Sequence, residues 1–402
     1  MTFASAISQH PVPQEAAGEV LGSVMEAIGH GPDIALLFMT SSHGDAVWEL
    51  AQGIDSILSP GVLVGAVTDA IVGTGQEIEH GYGVSLWAGN VGSLCAIELS
   101  EDPFHGWDDA EINWDSLLQS WQSALGGEIK TLLLFSDDDT FPIDNFLKWC
   151  DSAIPGIQII GGTVPSLGRD GSVMLLGNHL RHRGAVAIAF DDALKCSPLS
   201  SIGSVAIGDP VVVTSSDGTI IKELAQSRSL DFLEKLAKTN LDQSQIEQIN
   251  SGGLSIGELM TQSAQIPSIE DFRIFDVLGA DPRTRAIAVT KSLEVGALVQ
   301  FFLADSQFAN ERLELTLLGK RAQSSLVFPA TKRGTNLFPT PHHDADALER
   351  AVGTHPVVGF FPKEVIVKNG NRHWTSTEAV SIALLALESH PSYVGNDPLE
   401  KD

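Results

Sequence analysis

The residues best suited to bind a small molecule stand at the ends of predicted strands near the end of the sequence. Arg333 lies in the loop Pro329-Ala-Thr-Lys-Arg-Gly334, directly after an apolar run. A guanidinium group at a strand end can grip a carboxylate or a phosphate, although an ion pair with one of the many acidic residues is an equally good interpretation. Further along, a turn of glycine and aromatic residues leads to Glu364, and a polar strand start contains His373 and Thr375. We expect this turn to bring the three side chains close together, with His373 either in a site or in a structural role.

Two other patterns could carry chemistry, but each lacks part of what its chemistry requires. Gly253-Leu-Ser-Ile-Gly257 matches the G-x-S-x-G pattern of serine hydrolases. A nucleophile elbow needs a buried strand just before the serine, and residues 240–250 are polar. Pro341-His-His-Asp-Ala-Asp346 offers four metal ligands, but neighbouring loop residues rarely coordinate one ion. We therefore expect no metal and no cofactor, since the sequence also has no P-loop and no dinucleotide fingerprint.

The elements that position these residues follow a pattern that occurs three times. Each copy has an apolar run ending in Phe, a helical segment, a second apolar run containing Gly, and a later apolar run. We call Phe38, Phe135 and Phe328 the repeat phenylalanines. We call Gly65, Gly161 and Gly359 the repeat glycines. Such regular spacing indicates a duplicated unit, and strand–helix–strand units usually pair their strands in parallel. We therefore predict a two-lobed α/β fold, with repeated strand-helix-strand-strand units forming mixed sheets covered by helices.

The charge balance excludes several classes of partner. The chain of 402 residues has 51 Asp and Glu against 24 Lys and Arg, and no Lys or Arg precedes Lys130. Such a surface repels nucleic acids and anionic membranes because few cations can displace their counterions. No apolar run of about 18 residues could span a bilayer, and the first residues lack the basic start of a signal peptide. Three scattered cysteines fit a reducing compartment. We expect a cytoplasmic protein that binds neither nucleic acid nor membrane.

In their order and spacing, these motifs resemble the FIST domains, FIST-N followed by FIST-C. The FIST-N resemblance rests on Pro32-Asp-Ile-Ala-Leu-Leu-Phe38, Val64-Gly-Ala-Val-Thr68 and Gly73-x-Gly-x-Glu77. The FIST-C resemblance rests on Leu326-Val-Phe328 with Arg333, on Val358-Gly-Phe-Phe361 with Glu364, and on the region of Thr375. The resemblance covers nearly the whole chain, and it implies a FIST-N-like domain at residues 30–220 and a FIST-C-like domain at residues 221–387.

The resemblance implies an intracellular sensory or signal-transduction protein that binds a small ligand, with an amino acid as one candidate. Together with the strand-end positions, it predicts seven ligand-binding residues: Thr68, Asp69, Glu77, Arg333, Glu364, His373 and Thr375. Asp69, Glu77 or Glu364 could meet an ammonium group, and Arg333 or Arg169 a carboxylate. Two alternatives stay open: a protein-interaction module of the F-box-linked type, with a signalling protein as partner, and an uncharacterised hydrolase. The hydrolase would use Ser255, or Glu364 with His373.

Overall fold

A computed structural model of the chain describes residues 2–99, 114–168, 171–261 and 267–386. Within these ranges the chain forms three units of one plan and one inserted sheet. Each unit has an outer strand, a helix, a first core strand, a second helix, a second core strand, a two-stranded hairpin and a last core strand. The three copies of the sequence pattern fall on these three units.

The first two units are continuous in sequence. Unit 1 consists of β1 (Phe3–Ser8), α1 (Pro13–Ile28), β2 (Ile34–Thr40), α2 (Val47–Leu58), β3 (Val62–Thr68), the hairpin β4 (Ile71–Gly73) and β5 (Gln76–Ile78), and β6 (Val84–Gly89). Unit 2 consists of β7 (Leu94–Leu99), α3 (Trp114–Leu125), β8 (Thr131–Asp137), α4 (Ile143–Ala153), β9 (Gln158–Val164), the hairpin β10 (Val173–Leu176) and β11 (His179–Arg181), and β12 (Ala185–Phe190).

The third unit is interrupted after its outer strand, β13 (Lys195–Ile202). The inserted sheet follows, with β14 (Ser204–Asp217), β15 (Ile220–Leu224), β16 (Ser227–Arg228), α5 (Ser229–Asn240), α6 (Gln243–Asn250), β17 (Leu254–Leu259), β18 (Phe272–Asp281), β19 (Ala286–Val289) and β20 (Leu298–Ala304). Unit 3 then resumes with α7 (Ser306–Leu317), β21 (Ser324–Pro329), α8 (His343–Val352), β22 (Val357–Phe360), the hairpin β23 (Val365–Asn369) and β24 (Arg372–Ser376), and β25 (Ala379–Ala386).

The strand pairing is the same in each unit. The first and second core strands are parallel, as the strand–helix–strand pattern predicts. The last core strand is antiparallel to the first, and the outer strand is antiparallel to the last. The predicted α/β fold with mixed sheets and covering helices is therefore confirmed.

The hairpins are exchanged between units in a closed cycle. The hairpin of unit 1 pairs with β22 of unit 3, the hairpin of unit 2 with β3 of unit 1, and the hairpin of unit 3 with β9 of unit 2. Each of the three sheets is therefore completed by another unit. We expect the units to fold together, because none of them contains all the strands of its own sheet.

The repeat glycines are required by close approach of the two parallel core strands. Gly65, Gly161 and Gly359 each lie opposite the residue that precedes a repeat phenylalanine. A Cβ atom at these glycines would lie 1.8, 2.1 and 1.7 Å from the carbonyl oxygen of that opposite residue. Since no side chain fits at such distances, the glycine spacing in the sequence reports one backbone contact made three times.

The three units share one core at their centre. The repeat phenylalanines are fully buried and pack there with Phe360, with ring centroids 5.1–5.9 Å apart. Phe360 directly follows the repeat glycine of unit 3, where units 1 and 2 have the small residues Ala66 and Gly162. One unit thus supplies the bulk that fills the space left by the other two.

Helices cover the outer faces of the three sheets. Helices α1 and α2 pack on unit 1, α3 and α4 on unit 2, and α7 and α8 on unit 3. The inserted sheet has its own core and also contributes Phe272, Ile274 and Phe302 to the shared one. Every helix in the described residues is too short or too polar to span a bilayer. The predicted domain limits, 30–220 and 221–387, stay a prediction.

Candidate functional site

An open pocket lies at the carboxyl ends of the core strands of unit 1. We call it the unit 1 pocket, and its volume is about 470 Å3. Its wall comes from the loops after β2 and β3, the segment after β5, and the loops after β21 and β22 of unit 3: Ser41, Ser42, Asp69, Ala70, Glu79, His80, Gly81, Thr331, Asn336 and Phe361. Strand ends in α/β sheets are where ligands commonly bind, and here two units form the wall together.

Two buried threonines shape the base of this pocket. Thr40 and Thr68 end the parallel strands β2 and β3 and lie opposite each other in register. The Thr40 hydroxyl accepts a hydrogen bond from the Gly83 amide at 2.8 Å, and the Thr68 hydroxyl donates to the Ala70 carbonyl at 2.8 Å. Both hydroxyl groups therefore stabilise the turns that carry the pocket wall. Predicted residue Thr68 directly precedes the lining residue Asp69 but does not line the pocket itself, and its hydroxyl is already hydrogen-bonded.

The pocket wall is acidic and rich in hydroxyl groups. The exposed Asp69 carboxylate accepts a hydrogen bond from the Ser41 hydroxyl at 2.9 Å. Glu79 Oε2 accepts from the Thr335 amide at 2.7 Å and from its hydroxyl at 2.8 Å, while the buried Oε1 atom has no hydrogen-bond partner among the described residues. None of the residues described as lining the pocket is Lys or Arg. Such a wall suits a ligand with an ammonium group or several hydroxyl groups.

A buried histidine stands beside this pocket with both ring nitrogens unsatisfied. His43 follows the lining residue Ser42, and its side chain is 5% exposed. Neither ring nitrogen has a hydrogen-bond partner within the described ranges, and the ring lies 5.3 Å from that of Tyr82. Burial lowers the pKa of His43, which favours a neutral imidazole. Unpaired buried polar atoms are uncommon, and here they border the open strand ends.

The predicted residues Glu77 and Arg333 come together in a second place, which we call the Arg333 cluster. Arg333 is 1% exposed, and its Nε and Nη2 atoms donate to the two carboxylate oxygens of Asp344, both at 2.7 Å. Glu77 Oε1 accepts from the Ala345 amide at 2.9 Å in the first turn of α8. The exchanged hairpin of unit 1 is thus fixed to unit 3. Both predicted residues bind other residues of the protein, and one atom of each, Glu77 Oε2 and Arg333 Nη1, has no hydrogen-bond partner among the described residues.

The two carboxyl groups of the Arg333 cluster, Glu77 and Asp344, have pKa values shifted in opposite directions. Burial, reinforced by the nearby Asp344 carboxylate, raises the pKa of Glu77 to about 8. Burial also opposes ionisation of Asp344, but the Arg333 guanidinium lowers the pKa of Asp344 to about 2. Arg333 and Asp344 are therefore a bidentate ion pair, and Glu77 binds a proton near neutral pH.

Glu364 belongs to a third group, the Lys291 cluster, at the strand ends of unit 2. Lys291 Nζ lies 2.8 Å from Glu364 Oε2 and 3.6 Å from Asp144 Oδ2. Arg273 reaches the same Asp144 oxygen at 3.0 Å and Glu258 at 2.6 Å. Burial lowers the pKa of Lys291, but the carboxylates of Glu364 and Asp144 outweigh burial and raise it. The two cations come from the inserted sheet and its loop, and they occupy this edge of unit 2.

His373 and Thr375 are buried in β24, away from the Lys291 cluster. His373 Nδ1 lies 2.6 Å from Asp151 Oδ1, and Nε2 accepts from the Ile159 amide at 3.4 Å, which places the ring proton on Nδ1. The hydrogen bond to Asp151 ties the exchanged hairpin to α4. Thr375 is 1% exposed, and its hydroxyl has no partner among the described residues. The turn does bring Glu364 next to this hairpin, but the carboxylate and the imidazole have different partners.

Comparison with known sequences supports one family. The family model of the FIST N domain matches residues 33–227, and that of the FIST C domain matches residues 230–362. The chain belongs to the FIST family. FIST domains are associated with signal transduction and with the sensing of small ligands in general. Similar proteins include an uncharacterized protein of Mycobacterium tuberculosis, 29% identical over 369 residues, or 90% of this chain and 93% of that protein. An uncharacterized protein of Mycobacterium bovis is 29% identical over 359 residues, or 87% of this chain and 90% of that protein.

The residues predicted from the FIST resemblance lie near strand ends, but they include only part of the unit 1 pocket. Of the seven predicted residues, Asp69 lines the pocket and Thr68 supports it, whereas the other five lie elsewhere. Ser41 and Ser42 stand in a loop that could equally cap a helix, and Glu79 has no distinguishing motif. In the sequence, the pocket is indicated only by the two hydroxyl residues that follow a predicted strand. Arg169 lies outside the described residues.

The G-x-S-x-G serine of this FIST protein is inside a regular strand. Ser255 is in β17, which pairs on one side with β18 and on the other with β20. Its hydroxyl donates to Glu378 Oε1 at 2.6 Å, and Lys332 Nζ lies 2.9 Å from the same oxygen. The strand-to-helix turn of a nucleophile elbow is not formed at this serine. Ser255 therefore takes part in a buried polar contact between the inserted sheet and unit 3.

Proposed function

We propose that this FIST protein is a sensor whose unit 1 pocket binds a small molecule through its ammonium group, with free amino acids as the first candidates. The observation that carries the proposal is an open pocket with two carboxylates, Asp69 and Glu79, and no cation among its described lining residues. An ammonium group would meet those carboxylates in charge-assisted hydrogen bonds. The hydroxyl groups of Ser42 and Thr331 can donate to a ligand carboxylate or accept from a ligand hydroxyl.

The position of the pocket supports a sensory role. One wall is formed by unit 1 and the other by the loops after β21 and β22, so a bound ligand would contact two units at once. Glu79 already joins these walls through Thr335. A ligand that binds both walls would stabilise one relative arrangement of the units. We predict that a signalling protein binds this arrangement selectively. The cytoplasmic location also stays a prediction.

A thermal-shift screen against the standard amino acids and small amines tests the proposal. A ligand present at about 100 times its dissociation constant adds about 2.7 kcal/mol to the free energy of unfolding, which is readily measured. We expect Asp69→Asn to weaken binding of any ligand found by about 10-fold or more, because one charge-assisted hydrogen bond contributes about 1.5–3 kcal/mol.

The control is Glu26→Gln, an exposed carboxylate on α1 that loses the same charge. It should bind the ligand as the wild type does. Equal weakening by both variants would mean that only the overall charge matters. The absence of any stabilising amine or amino acid would refute the proposed ligand class.

A further inference from the structure

A second cavity concentrates positive charge in an otherwise acidic molecule. It has a volume of about 460 Å3, and four of the 24 Lys and Arg residues line it: Lys130, Lys195, Lys320 and Arg321. We call it the basic cleft. The chain as a whole has a formal charge of −27. Asp192 also lines the cavity, so its lining residues carry four positive charges and one negative charge, a balance opposite to that of the whole chain.

The basic cleft is built by the amino ends of strands from two units. Lys130 immediately precedes β8, Lys195 begins β13, and Lys320 and Arg321 lie just before β21. The unit 1 pocket lies at the carboxyl ends of its strands, so the two cavities occupy opposite ends of the repeated architecture. The basic cleft shares no lining residue with the unit 1 pocket.

Two of the four cations form ion pairs within the protein, and the other two have no carboxylate partner among the described residues. Lys130 lies 2.7 Å from Glu128, and Lys195 lies 2.8 Å from Asp192. The side chains of Lys320 and Arg321 are exposed, and neither forms an ion pair with a described residue. The chain has more than two acidic residues for each basic one, yet these two adjacent cations line a cavity and form no ion pair within the described ranges. They can therefore meet an external anion.

We propose that the basic cleft is a second ligand site, which takes a small anion with clustered phosphate or carboxylate groups. Arg321 supplies a planar fork for two oxygens of one group, and the lysines supply compact charges for the remainder. Thr131, Gln158 and Ser197 add polar side chains to the wall. The volume fits a small molecule, and the negative charge of the whole chain disfavours a polyanionic polymer. This inference does not depend on what binds in the unit 1 pocket.

The test is calorimetric titration of the full chain with pyrophosphate and, separately, with citrate at equal ionic strength. We expect saturable binding of at least one of them, and the tighter one identifies phosphate or carboxylate as the preferred group. Lys320→Gln combined with Arg321→Gln should weaken that binding by 10-fold or more. Because both side chains are exposed and without an ion pair among the described residues, the double variant should unfold as the wild type does.

The matched control is Lys235→Gln combined with Lys238→Gln, which removes the same charge from the exposed face of α5. It should leave binding within about two-fold, since neither lysine lines the basic cleft and exposed charges away from a site are screened by salt. Equal losses in both double variants would overturn the assignment to the cleft. So would the absence of binding of either anion by the wild type up to about 10 mM, where even millimolar affinity is detectable.

Discussion

The strand ends of units 1 and 2 are built on one plan and filled in different ways. In unit 1 they open into a pocket whose acids, Asp69 and Glu79, face no lysine or arginine among the described lining residues. In unit 2 the corresponding edge holds the Lys291 cluster, in which Lys291 and Arg273 neutralise Asp144 and Glu364. Duplication thus supplies several equivalent edges, and the charges brought to each edge decide whether it stays open.

The origin of this difference is visible in the placement of cations along the chain. Unit 1 has no Lys or Arg of its own, since the first is Lys130. Both cations of the Lys291 cluster come from the inserted segment between β13 and α7. At the start of α8, Arg333 instead binds Asp344 within unit 3. The carboxylates of the unit 1 pocket therefore form no ion pair with a described residue, whereas Asp144, Glu364 and Asp344 do.

The largest effect should come from breaking the common plan itself. Gly65→Ala, Gly161→Ala and Gly359→Ala each place a Cβ atom within about 2 Å of a backbone carbonyl oxygen. We expect each to lower the free energy of unfolding by about 4 kcal/mol or more, measured by urea denaturation. Gly22→Ala in α1 has no atom within 4 Å of the new Cβ. As a control it should be neutral or stabilising, by up to about 1 kcal/mol. Tolerance at one repeat glycine would show that its unit departs from the plan.

The next effect concerns the buried ion pair that occupies the start of α8. Arg333→Leu leaves Asp344 buried without its cation and should lower the free energy of unfolding by about 3–5 kcal/mol. The double variant Arg333→Leu with Asp344→Leu should lose less, because no unpaired charge remains. Asp69→Ala, at the open edge, should change the free energy of unfolding by no more than about 0.5 kcal/mol. Urea denaturation compares all three, and a double variant worse than the single would contradict a compensated ion pair.

A third effect, smaller for a change of one pH unit, should appear as pH dependence at the junction of units 1 and 3. Burial and Asp344 raise the pKa of Glu77 from an ordinary value of 4.5 to about 8. Protonated Glu77 therefore favours the folded state, and this contribution is complete below pH 4.5 and is lost as the pH rises through 8. Relative to Glu77→Gln, the wild type should lose stability between pH 5 and 8, by at most about 1.4 kcal/mol per pH unit. Denaturation at several pH values measures this difference. A constant difference would mean that Glu77 titrates with an ordinary pKa.

Much of the repeated scaffold could be predicted from the sequence, because its signals are local. The spacing of Phe38 and Gly65, and of their two counterparts, reflects core burial and one backbone contact, both of which restrict residue type. The hairpin exchange could not be predicted in this way. Strands such as β4 and β5 pair through backbone groups, and their residues do not specify which unit supplies the partner.

The candidate site was predictable only in part for a related reason. Asp69 follows a strand, and such positions are recognisable. Thr331 and Asn336 reach the same pocket from unit 3, and no spacing in the sequence connects them with Ser41. Arg333 had two equally good interpretations, and the choice between ligand and ion pair depends on Asp344, which only the folded chain brings to it.

We infer that a ligand binds at the open edge of unit 1 and not at the edge of unit 2 that the Lys291 cluster fills. Ligand binding to variants at the two edges tests this inference directly. For the amino acid or amine that gives the largest thermal shift, calorimetric titration should be repeated on Asp69→Asn in unit 1 and on Glu364→Gln in the Lys291 cluster. Each substitution removes one negative charge and keeps the size of the side chain. We predict that Asp69→Asn raises the dissociation constant by 10-fold or more, whereas Glu364→Gln leaves it within about two-fold. Weaker binding by Glu364→Gln with unchanged binding by Asp69→Asn would contradict a ligand site in unit 1. It would place the ligand at the edge that the ion pairs occupy.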